Sequence, residues 1–139
     1  MMEEFYSMEP TAYYQHFKPI QMKAILIDAK NKQVLPVKIA GDLASMYLTL
    51  NVNMVEIGWT DQRTGETLWV DEEGKINGTE YGFIIAGALR IVGNGLILGS
   101  DMYGDNKDTK VNPEDLDIQF IEINPEEEQR NIDIQVHFN

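Results

Sequence analysis

The chain has no cysteine. That absence excludes disulfides, thiolate metal sites and cysteine nucleophiles, and it fits a reducing, cytoplasmic setting. Basic residues are scarce: 11 Lys and Arg stand against 23 Asp and Glu, a formal net charge of -12. A surface of that sign repels nucleic-acid backbones and anionic membranes, whose binders need clustered Lys and Arg. Direct binding to nucleic acid or to a membrane is therefore not expected. Long apolar runs are missing too. Residues 82–98 come nearest, but Arg90 and Asn94 interrupt them, and they are too short for a bilayer span. Residues 1–21 lack the basic start and apolar run of a secretory leader. Histidine is limited to His16 and His137, with no motif around either.

What remains is an ordinary globular composition, 139 residues with 43% apolar content, which suits one folded domain. The acidity builds along the chain. Residues 1–40 hold five basic and four acidic side chains, residues 41–100 three and eight, and residues 101–139 three and eleven. Residues 1–21 stand apart as an N-terminal extension carrying Phe5, Tyr6, Tyr13, Tyr14 and Phe17. Pro10 and Pro19 limit any helix there to a couple of turns over residues 11–17. Residues 22–139 form the domain proper.

Within the domain, residues 22–28 and 33–39 read as two strands around a polar Lys30-Asn31-Lys32 turn. Pro36 confines the second strand to an edge or a bulge. Asp42 is an N-cap, and Leu43, Met46, Tyr47 and Leu50 follow at helical spacing, so one short helix packs on the sheet. Val55, Ile57 and Trp59 alternate with Met54, Glu56 and Gly58. A return strand over residues 66–70 follows a loop closed by Gly65, which places Trp59 diagonal to Trp69 on one face. Asn94-Gly95 reads as a hairpin turn between residues 89–92 and 96–99. Asn112-Pro113 and Asn124-Pro125 each open a short helical turn. Ile118 and Phe120 share a face between them, and Ile132, Ile134, Val136 and Phe138 alternate as a final strand. The expected fold is α+β: an antiparallel sheet of about six strands with one short packed helix.

Catalytic motifs are absent. The glycines of residues 93–99 have the wrong spacing for a dinucleotide loop, and Leu96-Ile97-Leu98 reads as a strand where a helix N-terminus is required. Residues 82–87 lack the Lys-Ser or Lys-Thr of a phosphate loop. No nucleophile elbow surrounds Ser7, Ser45 or Ser100. Asp101, Asp105 and Asp108 are the best metal candidates, yet their spacing matches no calcium loop and a solvated acidic loop accounts for them. No cofactor is expected.

The strand Met22-Lys23-Ala24-Ile25-Leu26-Ile27, the turn Val70-Asp71-Glu72-Glu73-Gly74-Lys75 and the block from Ile91 to Asp101 resemble the uncharacterised family numbered 3846 among the domains of unknown function. The resemblance covers about residues 22–120, with residues 1–21 and the tail from Asn124 outside it. It implies an accessory protein of phage, plasmid or other mobile-element origin, and it supplies no catalytic residues to carry over. Two functional readings follow. In the first, a non-enzymatic accessory protein binds a basic host protein through Glu114, Asp115, Asp117, Glu126, Glu127 and Glu128; acidity of this kind also confers solubility by itself. In the second, a small-molecule or nucleotide pocket, or a weak enzyme, lies near Trp59, Trp69 and Asp101. An exposed edge strand would let either form a homodimer.

Overall fold

Two apolar runs separated by a polar turn make the first hairpin, β1 (Met22–Asp28) and β2 (Gln33–Ile39). Asp28 closes the turn by accepting from the Asn31 N–H at 3.2 Å. The computed structural model describes residues 21–130. The aromatic extension, the expected final strand over residues 132–138, and both histidines lie outside them.

Next comes α1 (Leu43–Leu50), started as expected by Asp42, whose carboxylate accepts from the Ser45 N–H at 2.8 Å. Met46 and Leu50 are buried, but Leu43 of the same stripe stays exposed. β3 (Val55–Thr60) and β4 (Thr67–Asp71) form a hairpin, followed by β5 (Tyr81–Ile85), β6 (Leu89–Val92), β7 (Gly95–Ser100), a two-residue β8 (Asn106–Lys107) and β9 (Ile118–Glu122). A 3-10 turn over Pro113–Asp115 precedes β9, and residues 125–130 form a second helix, α2.

The α+β class is as expected, and all pairings among the described residues are antiparallel. The strands divide into two sheets. One runs β2-β1-β7-β4-β3 with β8 added beside β7, six strands in all; the other runs β6-β5-β9. Pro36 lies in β2, which has β1 as its one neighbour among the described residues, so the missing N–H interrupts no ladder there. Helix α1 covers one face of the large sheet, where Met46 and Leu50 pack with Ala24, Leu96 and Leu98. The small sheet covers the other face, where Phe83, Ile85 and Ile91 meet Ile25, Ile27, Leu68, Val70 and Ile97. The order is helix, large sheet, small sheet.

Strand β7 explains the apolar central block. It sits between β1 and β4 with layers on both faces, so Gly95 to Gly99 are buried without alternation. The layers approach closely at Gly95, where a Cβ would lie 2.8 Å from the Phe83 ring.

Two expectations are corrected. Asn94-Gly95 is not a hairpin turn, because β6 pairs with β5 while β7 pairs with β1 and β4. The segment is a crossing between sheets, and the Asn94 Oδ1 accepts from the Ala29 N–H at 2.7 Å, tying the crossing to the first turn. The true β5–β6 turn runs through Ala86 and Gly87, both at positive φ. Secondly, Trp59 and Trp69 do not share a face. The β3–β4 register pairs Ile57 with Trp69 but Trp59 with Leu68, so one residue is bulged at Gly58. The bulge turns the Trp59 side chain from the helix face to the small-sheet face.

Candidate functional site

The bulge decides where the site lies. Trp59 is 49% exposed and stands at the mouth of a cavity of about 260 Å³ between the two sheets. Leu68 from β4, Ile97 from β7 and Ile85 from β5 line it, with Val111 and Leu116 from the segment joining β8 to β9. That segment straps across the sheet face and is held by backbone bonds at both ends. The Thr109 N–H donates to the Lys23 carbonyl at 2.8 Å, and the Ala86 N–H donates to the Asp117 carbonyl at 2.9 Å.

Glu66 anchors the middle of the strap. Its carboxylate accepts from the Thr109 hydroxyl at 2.7 Å and from the Lys110 N–H at 2.8 Å. The residue is only 8% exposed and also lines the cavity. It is placed by the hairpin loop before it, in which Gly65 has φ +78 and its N–H donates to the Asp61 carbonyl at 2.8 Å. At the rim, Asp61 accepts from the Arg63 N–H at 2.9 Å. That bond, aided by the Arg63 guanidinium, holds the Asp61 carboxyl below the usual carboxylate range. An apolar floor, an aromatic wall and two carboxylates suit a guest that combines an apolar group with a cation or hydrogen-bond donor.

The structure separates several residues that the sequence grouped. Trp59 lines the cavity; Trp69 packs on the opposite face beside the α1 cluster, with its Nε1 buried and without a hydrogen-bond partner among the described residues. Asp101 belongs to a turn after β7, where its Oδ1 accepts from the N–H groups of Tyr103 and Asp105, each at 2.9 Å. Asp108 accepts from the Lys23 N–H at 2.9 Å. Among the described residues no three acidic or histidine side chains gather into a metal-holding group; the Asp101 carboxylate organises its own turn, while that of Asp108 reaches across to β1.

The acidic residues of the last third divide likewise. Glu114, Asp115 and Asp117 are exposed around Leu116, which lines the cavity, so three of them flank its strap. Glu126 and Glu127 are exposed in the first turn of α2, and their N–H groups donate to the Asn124 Oδ1. Glu128 is 5% exposed and ion-paired with Arg90 of β6, so it braces α2 against the small sheet rather than facing a partner. Glu66 itself escaped the sequence reading. The signal was present, because Glu66 alternates with Leu68 and Val70 and so falls on their buried face.

A family profile settles the relationship. The chain belongs to DUF3846, a domain of unknown function, whose profile matches residues 22–133. The DUF3846 match begins at the expected Met22, but it runs past residue 120 and brings α2 and the start of the tail into the family. No curated protein and no solved structure gives a significant match to the chain. Among the described residues of this DUF3846 chain, no helix is long and apolar enough to cross a membrane.

Proposed function

We propose that this DUF3846 chain is a binding module rather than an enzyme, a cytoplasmic accessory protein of mobile-element or phage-like origin that engages a basic partner protein. Its recognition site is the Trp59 cavity. The observation that carries the reading is the pairing of an open apolar cavity with the buried Glu66 carboxylate, which lines it. An apolar cavity of about 150 Å³ holds a benzene ring. At about 260 Å³ this one has room for a ring or branched aliphatic side chain plus a short stem.

The acidic surroundings support a basic partner. Asp61 and Glu66 line the cavity, and Glu114, Asp115 and Asp117 flank Leu116 on the strap. Among the described residues Lys110 is the one basic residue lining it. Surface carboxylates of this kind speed encounter with a basic protein, while the cavity supplies the anchor. A second, more open groove of about 510 Å³ lies on the other side of the strap, lined by Lys23, Lys38 and Lys110. All three lysines are exposed, and among the described residues no buried polar side chain lines that groove. It offers no comparable anchor.

The test uses 2-phenylethylamine and its neutral counterpart 2-phenylethanol as probes, followed through the Trp59 indole N–H resonance in a Trp69→Phe variant. The amine is expected to shift that resonance saturably and the alcohol more weakly. Equal binding of both probes would remove the carboxylates from the site. No shift with either would remove the cavity from the function.

A further inference from the structure

We infer that the partner of this site is an extended, lysine- or arginine-rich segment that adds to the large sheet as a strand along β3, with an apolar side chain entering the Trp59 cavity. The inference rests on the proposed binding role and specifies how it is carried out.

The argument begins with the backbone. β3 has β4 as its one neighbour among the described residues. The Glu72 N–H donates to the Met54 carbonyl, and the Asp61 N–H donates to the Glu66 carbonyl. With the register, these bonds set the phase of the strand. Glu56 and Trp59 turn their peptide groups toward β4, and Val55, Ile57 and Thr60 turn theirs outward. Those outward groups are the template that strand addition uses.

The side chains distinguish this edge from the one opposite. β2 carries Pro36 and Lys38, devices that discourage pairing. β3 has neither, and Ile57 is 54% exposed, Trp59 49% and the preceding Met54 48%. An added strand would cover Ile57 on one sheet face. Beyond the Gly58 bulge it would reach Trp59, which faces the cavity on the other.

Charge selects the occupant. Residues 54–73, the β3–β4 hairpin with its flanks, contain six carboxylates and one base, Arg63. A second copy would set this acidic hairpin against itself in a chain of net charge -12. A basic extended segment meets opposite charge along the same edge.

The experiment uses the full chain and a capped peptide of alternating lysine with valine or leucine, Lys-Val-Lys-Leu-Lys-Val-Lys. A control peptide is N-methylated at the alternate residues that would face β3. Strand addition is expected to slow amide hydrogen exchange at Val55 and Ile57 by about tenfold or more and to shift the Trp59 indole resonance. N-methylation is expected to weaken binding by about tenfold or more, and salt to weaken both peptides. Equal binding of the two peptides, or a Trp59 shift without protection at Val55 and Ile57, would overturn strand addition while leaving the cavity reading intact. Protection of those amides before any peptide is added, with the protein monomeric, would show that the chain's own termini cover the edge, which also overturns it. Protection together with a dimer by light scattering would assign the edge to a second copy. Loss of response to the peptide and to 2-phenylethylamine alike would remove the cavity as well.

Discussion

Removing the Glu66 carboxylate should loosen the strap that roofs the cavity, and the cost can be worked from its two contacts. Hydrogen bonds to a charged acceptor contribute about 1.5–3 kcal/mol each, and leaving a half-buried donor without a partner adds to the loss. Glu66→Ala strands the Lys110 N–H and the Thr109 hydroxyl, which Glu66 accepts at 2.8 and 2.7 Å. Because the cavity is open, water can replace part of what is lost. The expected destabilisation is about 2–4 kcal/mol. Glu66→Gln should cost less, about 0.5–1.5 kcal/mol, since its carbonyl can still accept from Lys110 and its amide can donate to a rotated Thr109 hydroxyl. The assay is urea unfolding of both variants, of Thr109→Val and of the Glu66→Ala, Thr109→Val double variant. Coupling between Glu66 and Thr109 should be about 1–2 kcal/mol. If Glu66→Ala costs no more than Glu66→Gln, or the coupling vanishes, Glu66 does not hold the strap and the account of the site's rigidity is refuted.

Three further outcomes can be checked with the same unfolding methods. Asn94→Ala removes the acceptor shared by the Ala29 and Lys30 N–H groups, and should cost about 1–2 kcal/mol with faster hydrogen exchange at Ala29. Arg90→Ala leaves the buried Glu128 carboxylate unpaired. Because Arg90 is 44% exposed, the expected loss is about 1–2 kcal/mol, below that of a fully buried pair, and adding Glu128→Gln should recover part of it. The Ser45 N–H holds the Asp42 carboxyl below its usual range, so its stabilising share is complete above the ordinary carboxylate value and fades as pH falls through the lower folded value. The Asp42 share of the melting temperature should therefore be lost below about pH 4, and Asp42→Asn, which caps without titrating, should flatten that part of the profile.

Much of the fold follows from local chemistry that the sequence displays. The β1–β2 hairpin, the Asp42 cap, the left-handed Gly65 and the Asn-Pro turns each depend on residues within a few positions of one another, so they are visible in the chain itself. The α+β class follows from the same periodicities, and the family resemblance from the strand and turn blocks. Partnership between distant strands is not written locally. Asn94-Gly95 carries a hairpin signal, but β7 gains more by entering between β1 and β4, where it is buried on both faces, than by turning back on β6.

The candidate site was legible only in part for the same reason. Trp59 stood out by residue type, yet its face depends on the bulge at Gly58, which moves it away from Trp69 and onto the cavity. In sequence Glu128 groups with Glu126 and Glu127 as a candidate partner-binding carboxylate, but its position on α2 sets it against Arg90. Glu66 gains its role from a strap more than forty residues away. The sequence by itself determined the elements, their caps and turns, and the acidic character of the chain, because these depend on neighbours along the backbone. Tertiary structure decided which strands share a sheet, which face Trp59 takes and which carboxylates remain free, because burial and pairing between distant segments outweigh local preference.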